Sequence, residues 1–364
     1  MTEKEPKFDV EKARERIVKG KRKKWWRRLG SKESGFWYKD ADGSKIEDEK
    51  QLSRIENLVI PPAWEYVRIT PSPRTNLQAV GMDTNGRVQY LYSENYRKKQ
   101  ERKKFEKIER FGGHLPNLRK VINEHIKLDG FPREKVLAVM MRLINSLYMR
   151  MGSDESVEKY RTYGITTLAS KHLEIKENGE LIFDFVGKHH IKQRKVLVDQ
   201  ELAEILQELV KIGRKRKLFE YLDENNKPQP IKPTHINQYI KNLTASEFSA
   251  KDFRTWGGTL LAALELSEIG CCDDENKIKE NVVEAVKKVA EKLGNTPAVC
   301  RGSYIHPGII ESYESGITLE EFTPKDKRKI KKFVDMKPEE KALLKLFSNG
   351  KRGNNGKWKT ENGK

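Results

Sequence analysis

Apolar residues recur at helical spacing in three stretches of the chain. Residues 134–149, EKVLAVMMRLINSLYM, are apolar around much of their circumference, which predicts a helix buried in a core. Leu202, Ile205, Leu206, Leu209 and Val210 lie at helical spacing behind Asp199, an N-cap residue type, and predict a helix over 199–211. Ile278, Val282, Val286, Val289 and Leu293 predict another over 275–293, with Gly294 as its C-terminal stop.

Residues 31–95 follow a different rhythm of short β-like runs split by turns. Phe36-Trp-Tyr precedes Asp40-Ala-Asp-Gly, and Tyr66-Val-Arg-Ile precedes Pro71-Ser-Pro. Leu77-Gln-Ala-Val and Val88-Gln-Tyr-Leu-Tyr flank Asp83-Thr-Asn-Gly, a hairpin signal. Ile60-Pro61-Pro62 is incompatible with a helix interior and predicts an extended corner. A second hairpin is expected from His172-Leu-Glu-Ile-Lys, Glu177-Asn-Gly-Glu and Leu181-Ile-Phe-Asp-Phe-Val, with Arg194-Lys-Val-Leu-Val as a possible third strand. From about residue 113 the pattern is otherwise mainly helical. No repeat of fixed period is present.

These patterns predict an α+β protein, with a small β-rich N-terminal domain and a mainly α-helical domain that carries a small hairpin sheet. The expected boundaries are a basic arm over 1–30, the β-rich domain over 31–95, a basic linker helix over 96–112, the helical domain over 113–320 and a basic C-terminal extension over 321–364. The last stretch, SNGKRGNNGKWKTENGK, reads as a mobile tail. Residues 12–29, KARERIVKGKRKKWWRRL, read equally well as a solvated, partly ordered arm or as an arm lying along phosphates.

Charge narrows the partners. In 364 residues, 73 Lys and Arg face 54 Asp and Glu, a formal charge of +19. Such an excess points to a polyanion, most commonly nucleic acid, although basic charge alone would also suit anionic lipid. No run of 18 apolar residues exists, so no transmembrane helix is expected, and Met1-Thr-Glu-Lys-Glu-Pro-Lys has no secretory h-region. Cys271, Cys272 and Cys300 lack zinc-ribbon spacing and point to a reducing cytosol.

The sequence holds no GxxxxGK[ST] loop, no HExxH and no convincing DxD-like acidic cluster. Phosphate chemistry here would need cationic side chains in place of a metal. Four segments meet that need. Arg150 ends the apolar helix, and Lys188 ends a hairpin strand after Gly187. Lys251 and Arg254 share one face of a helical turn. Tyr304 lies beyond Thr296-Pro297, which reads as N-cap and N1 of a short helix that Pro307 closes. Each residue has a plain alternative: Arg150 paired with Asp154 or Glu155, Lys188 solvated, Lys251, Asp252 and Arg254 in surface pairs, and Tyr304 in half-buried packing.

Taken together the segments resemble the poxvirus-like type IB DNA topoisomerases, in particular their bacterial branch, from about residue 31 to about residue 316. The motifs are Leu58-Val-Ile-Pro-Pro-Ala-Trp, Gln78-Ala-Val-Gly-Met-Asp, Gly86-Arg-Val-Gln-Tyr-Leu-Tyr, Lys251-Asp-Phe-Arg-Thr-Trp and Leu293-Gly-Asn-Thr-Pro-Ala-Val-Cys-Arg-Gly-Ser-Tyr-Ile-His-Pro. The resemblance implies a C-shaped clamp on double-stranded DNA and relaxation of supercoils without ATP, metal or other cofactor. It implies Tyr304 as the nucleophile that forms a 3′-phosphotyrosyl bond and Arg150 and Arg254 as clamps on the non-bridging oxygens. Lys188 would protonate the 5′-oxygen leaving group, assisted by Lys251. Asn295 stands where the family often has histidine; it can donate a hydrogen bond to a phosphate oxygen but cannot titrate. A monomer associated with the nucleoid in the cytoplasm is expected, with no membrane or small-molecule substrate. The order Arg, Lys, Lys-x-x-Arg, Tyr is shared with tyrosine recombinases, which usually carry a helical N-terminal DNA domain; the β-like N-terminal half here argues against them. A non-catalytic basic DNA-binding protein would explain the charge but not the full residue set.

Overall fold

The structure, a computed structural model, describes residues 9–212, 217–323 and 336–353. The chain divides into two compact units, Met1–Lys104 and Phe105–Lys364.

The first unit opens with α1 (Val10–Val18), whose N-terminus is capped by the Asp9 carboxylate on the Lys12 amide. It continues through β1 (Trp26–Ser31), β2 (Gly35–Lys39), α2 (Glu49–Glu56), β3 (Glu65–Ile69), β4 (Leu77–Met82) and β5 (Val88–Tyr92). The strands form one antiparallel sheet in the order β2-β1-β3-β4-β5. On β4, Ala79 packs with Ile55, Val67 and Ile69, whereas Val80 packs with Ala13, Ile17 and Met82. Alternation along the strand places these clusters on opposite faces, so α2 covers one face and α1 the other.

The stretch 12–29 is therefore folded rather than an arm. Ala13 and Ile17, four residues apart, anchor α1 by burial, and Trp26–Ser31 is an interior strand. The many basic side chains around them mask this short apolar stripe in the sequence. The Ile60-Pro61-Pro62 corner is irregular, as the prolines dictate, and Arg28 of β1 donates to the Pro61 and Pro62 carbonyls at 3.1 and 3.3 Å.

Helix α3 (Glu94–Ile126) is continuous and crosses from the first unit into the second. The linker helix expected to end at 112 thus extends through Ile126, because Ile108, Phe111, Leu115, Leu118 and Ile122 continue one buried stripe.

The second unit continues with α4 (Arg133–Leu147), α5 (Asp154–Tyr160), β6 (Leu173–Ile175), β7 (Glu180–Val186), β8 (Lys192–Val198) and α6 (Gln200–Ile212). Then follow β9 (Glu220–Leu222), β10 (Pro228–Pro230), α7 (Pro233–Leu243), α8 (Ala250–Ile269), α9 (Glu275–Leu293), α10 (Pro297–Tyr304), α11 (Pro307–Glu314) and α12 (Pro338–Gly353). The α4, α6 and α9 helices stand where the apolar periodicity places them. Asp199 caps α6 through the Leu202 amide, and β8 completes the sheet β6-β7-β8. Pro307 opens α11 rather than closing the segment before it. The fold is mixed α/β, with helices predominating in the second unit and small antiparallel sheets in both.

Part of the expected C-terminal extension is folded core. Ala342, Leu343, Leu346 and Phe347 of α12 are buried, and the Glu340 carboxylate accepts from both terminal nitrogens of Arg119 on α3 at 2.6 and 2.7 Å. The first residues of the expected mobile tail, 348–353, belong to α12, and its remainder lies outside the described residues.

Candidate active site

Three backbone features bring the site residues together, all within the second unit. Helix α4 ends with Tyr148 in the left-handed conformation, which turns the chain so that Arg150 leaves the core. Helix α9 ends with Gly294 at φ 62°, a conformation that favours glycine, and the chain turns directly into Asn295 and the Thr296 cap of α10. Helix α8 presents Gly258 to α10: a Cβ there would lie 2.7 Å from the Tyr304 carbonyl oxygen, so a side chain would push the tyrosine away. Thr259 next to it donates its hydroxyl to the same carbonyl at 3.2 Å.

On this frame Arg254, only 4% exposed, donates to the carbonyl of Leu293 at 2.8 Å and also to that of Tyr148. Its guanidinium carbon sits 5.0 Å from the centre of the Tyr304 ring. Arg150 donates to the Gly294 carbonyl at 2.9 Å and to the Asn295 side-chain oxygen. It therefore does not take the alternative pairing with Asp154, which binds Lys217, or with Glu155, which binds Lys159. Asp252 likewise pairs with Lys107 and caps α8 through the Ser249 amide, leaving Arg254 to the site.

The electrostatics follow from this crowding. Burial, and then Arg254, lower Arg150 to about 10, still charged at neutral pH. Burial alone would push Tyr304 up, but the charge and hydrogen bonding of Arg254, then Arg150 and Lys251, bring it below its ordinary value. Lys251, exposed in the first turn of α8, thus acts on the tyrosine through its charge. The side-chain nitrogen of Asn295 is buried and has no partner among the described residues, so it is available as a donor.

Lys188 sits in the turn between β7 and β8 and lines one cleft with Arg150 and Arg254. The next two residues, His189 and His190, have φ of 63° and 58°, uncommon for histidine and a local strain of the kind found at functional loops. All six residues singled out from the sequence thus lie around α9's C-terminal end and Tyr304.

Two more were not singled out. Gln193 and Lys195 point to the same cleft from β8. They stand opposite Phe185 and Phe183 in the register, on the face that packs inward. The period-2 alternation Gln193, Lys195, Leu197 was the signal for them.

The site thus sets a tyrosine under two arginines, with a hairpin lysine at the cleft. Residues 93–333 match the family model of the eukaryotic DNA topoisomerase I catalytic core, and residues 35–83 match that of the bacterial DNA topoisomerase IB N-terminal domain. The DNA topoisomerase 1B of Acanthamoeba polyphaga mimivirus is 31% identical over 288 residues, covering 77% of this chain and 85% of the relative. Vaccinia virus DNA topoisomerase 1B is 25% identical over 242 residues, covering 65% and 72% respectively. The DNA topoisomerase 1 of rabbit fibroma virus is 25% identical over 300 residues, covering 76% and 88%. The chain belongs to the type IB DNA topoisomerase family.

Proposed function

We propose that this enzyme relaxes supercoiled double-stranded DNA by cutting one strand, letting it rotate and resealing it. Tyr304 attacks a backbone phosphorus through its phenolic oxygen and forms a 3′-phosphotyrosyl bond, while the 5′-oxygen leaves. Arg150 and Arg254 bind the non-bridging oxygens, where negative charge builds as the phosphorane forms; fixed guanidinium donors suit two such oxygens. Asn295 adds a neutral donor through its free nitrogen. Lys188 delivers a proton to the departing 5′-oxygen, and Lys251 supports that transfer and lowers the cost of the phenolate. Reversal of the same steps reseals the strand, because the phosphotyrosyl ester preserves the energy of the phosphodiester that was broken. None of these steps consumes ATP.

The observation that carries this function is the convergence of Arg254 and Arg150 on Tyr304, which holds the phenol below its ordinary pKa despite burial. The two units would grip duplex DNA as a C-shaped clamp, with the enzyme acting as a monomer in the cytoplasmic nucleoid; the net charge of +19 supports a large phosphate footprint. The test is plasmid relaxation in EDTA without ATP. Relaxation of both positive and negative supercoils is expected, and a strict requirement for ATP or magnesium would count against the mechanism.

A further inference from the structure

Lys195 stands on β8 directly opposite Phe183, so its stem leaves the strand toward the core that Phe183 helps to fill. A lysine there loses part of its hydration, which must be made good by a partner. Its ammonium donates to the carbonyl of Lys292. The next two carbonyls along the chain, those of Leu293 and Gly294, accept from Arg254 and Arg150. Three successive carbonyls at the C-terminal end of α9 therefore each hold one cation. The negative end of the helix dipole offsets part of the mutual repulsion.

Among the described residues, none of these three cations is paired with a carboxylate. The charged groups that share the cleft with Lys195 are Arg150 after α4, Arg254 on α8 and Lys188 in the hairpin turn, and Lys292, whose carbonyl it binds, is engaged by Glu265. Burial, then Arg254, then Arg150, bring Lys195 down to about 8. A partly buried cluster of like charges that lacks a carboxylate is built for an anionic ligand.

We propose that Lys195 is a further phosphate-binding residue of the DNA-cleavage reaction, turning from the Lys292 carbonyl to a backbone phosphate of the strand held in the Arg150–Arg254 cleft. This rests on the DNA-cleaving function above and adds a residue to it. The charged form binds the phosphate, so the contact is present below the lysine's free-enzyme pKa and is lost as pH rises through it. Cleavage at sub-saturating protein, which reports ionisations of the free enzyme, should therefore carry a descending limb beginning near pH 8.

The test compares the full-length wild type with Lys195→Met and Lys195→Arg. Covalent adduct formation on a labelled duplex is followed from about pH 6 to about pH 10, and duplex affinity is measured as a function of salt. Lys195→Met should cleave roughly tenfold more slowly at neutral pH, as loss of a charged hydrogen bond implies. It should also lose the descending limb, and its salt slope should shrink by about 0.9, the equivalent of one phosphate. Lys195→Arg should restore the neutral-pH rate and extend the plateau to higher pH, since arginine keeps its charge. A wild-type salt slope and wild-type pH profile in Lys195→Met would overturn the proposal, even if the rate fell, because loss of a purely structural tie to α9 would do only the latter. Absence of any adduct in the wild type would refute the Tyr304 chemistry instead. The salt slope, read by binding alone, would still decide for or against Lys195.

Discussion

Arg254 lies with its guanidinium carbon 5.0 Å from the centre of the Tyr304 ring, held there by the Leu293 carbonyl on one side and the Tyr148 carbonyl on the other. One side chain thus joins the ends of α4 and α9 and sets the charge environment of the tyrosine. Replacing it removes both the charge and the tie. Arg254→Ala should slow adduct formation by about 100-fold to 1,000-fold, the range for loss of one fixed oxyanion donor. Arg254→Lys should recover little of this, because an ammonium cannot span two carbonyls and a phosphate at once. Single-turnover cleavage of a labelled duplex measures both.

The same relationship predicts a pH effect. Tyr304 is held below its ordinary value, so its phenolate forms at lower pH than that of a free tyrosine. With protein saturating the duplex, where the free-enzyme ionisation of Lys195 no longer enters, the ascending limb of the cleavage rate should accordingly lie at lower pH in the wild type than in Arg254→Ala. An unmoved limb in that variant would separate Arg254 from the tyrosine's ionisation.

Lys188 is exposed at the turn and free to reach a leaving group. Lys188→Ala should lose cleavage on ordinary DNA and recover it on a duplex with a bridging 5′-sulfur at the cut site, since a thiolate leaves without a proton. Failure of the sulfur substrate to rescue would remove Lys188 from the proton-transfer step.

Gly258 tests position alone. An added methyl would meet the Tyr304 carbonyl oxygen at 2.7 Å and the tyrosine Cβ at 3.1 Å. Gly258→Ala should therefore cost about 1–3 kcal/mol of stability through overpacking and slow cleavage more than it weakens DNA binding. Thermal unfolding and duplex affinity, measured beside the cleavage rate, separate these effects.

The C-terminal helix should prove structural. Burial pushes Glu340 up, but Arg119, the Lys337 amide and Trp256 pull its carboxyl below the ordinary range. A depressed folded-state pKa gives stability that is present above the unfolded value and lost as pH falls through the folded one. Glu340→Ala should cost ~3–5 kcal/mol by removing the carboxylate partner of a buried arginine, and this cost should shrink toward acid pH. Chemical denaturation at several pH values gives the comparison.

What the sequence made legible divides along physical lines. Helices α4, α6 and α9 announced themselves because each has a long apolar stripe and a clear cap or stop, such as Asp199 and Gly294. The six candidate site residues could be singled out because their motifs are local. What was missed depends on distant partners. Helix α1 is held by two small contacts, Ala13 and Ile17, inside a basic run. The α12 helix is tied to the core through Glu340 and Arg119, 221 residues apart in the chain. Lys195 looks like any strand lysine until the register with Phe183 and the α9 carbonyls shows where it points.

The most direct test of the account is to trap the covalent complex on a suicide duplex, digest it and identify the DNA-bearing peptide by mass spectrometry, with Tyr304→Phe run beside the wild type. The account predicts one adduct, on Tyr304 through a 3′-phosphate, and none in Tyr304→Phe, which should still bind duplex DNA with near wild-type affinity. An adduct on another residue, or one that persists in Tyr304→Phe, would contradict it.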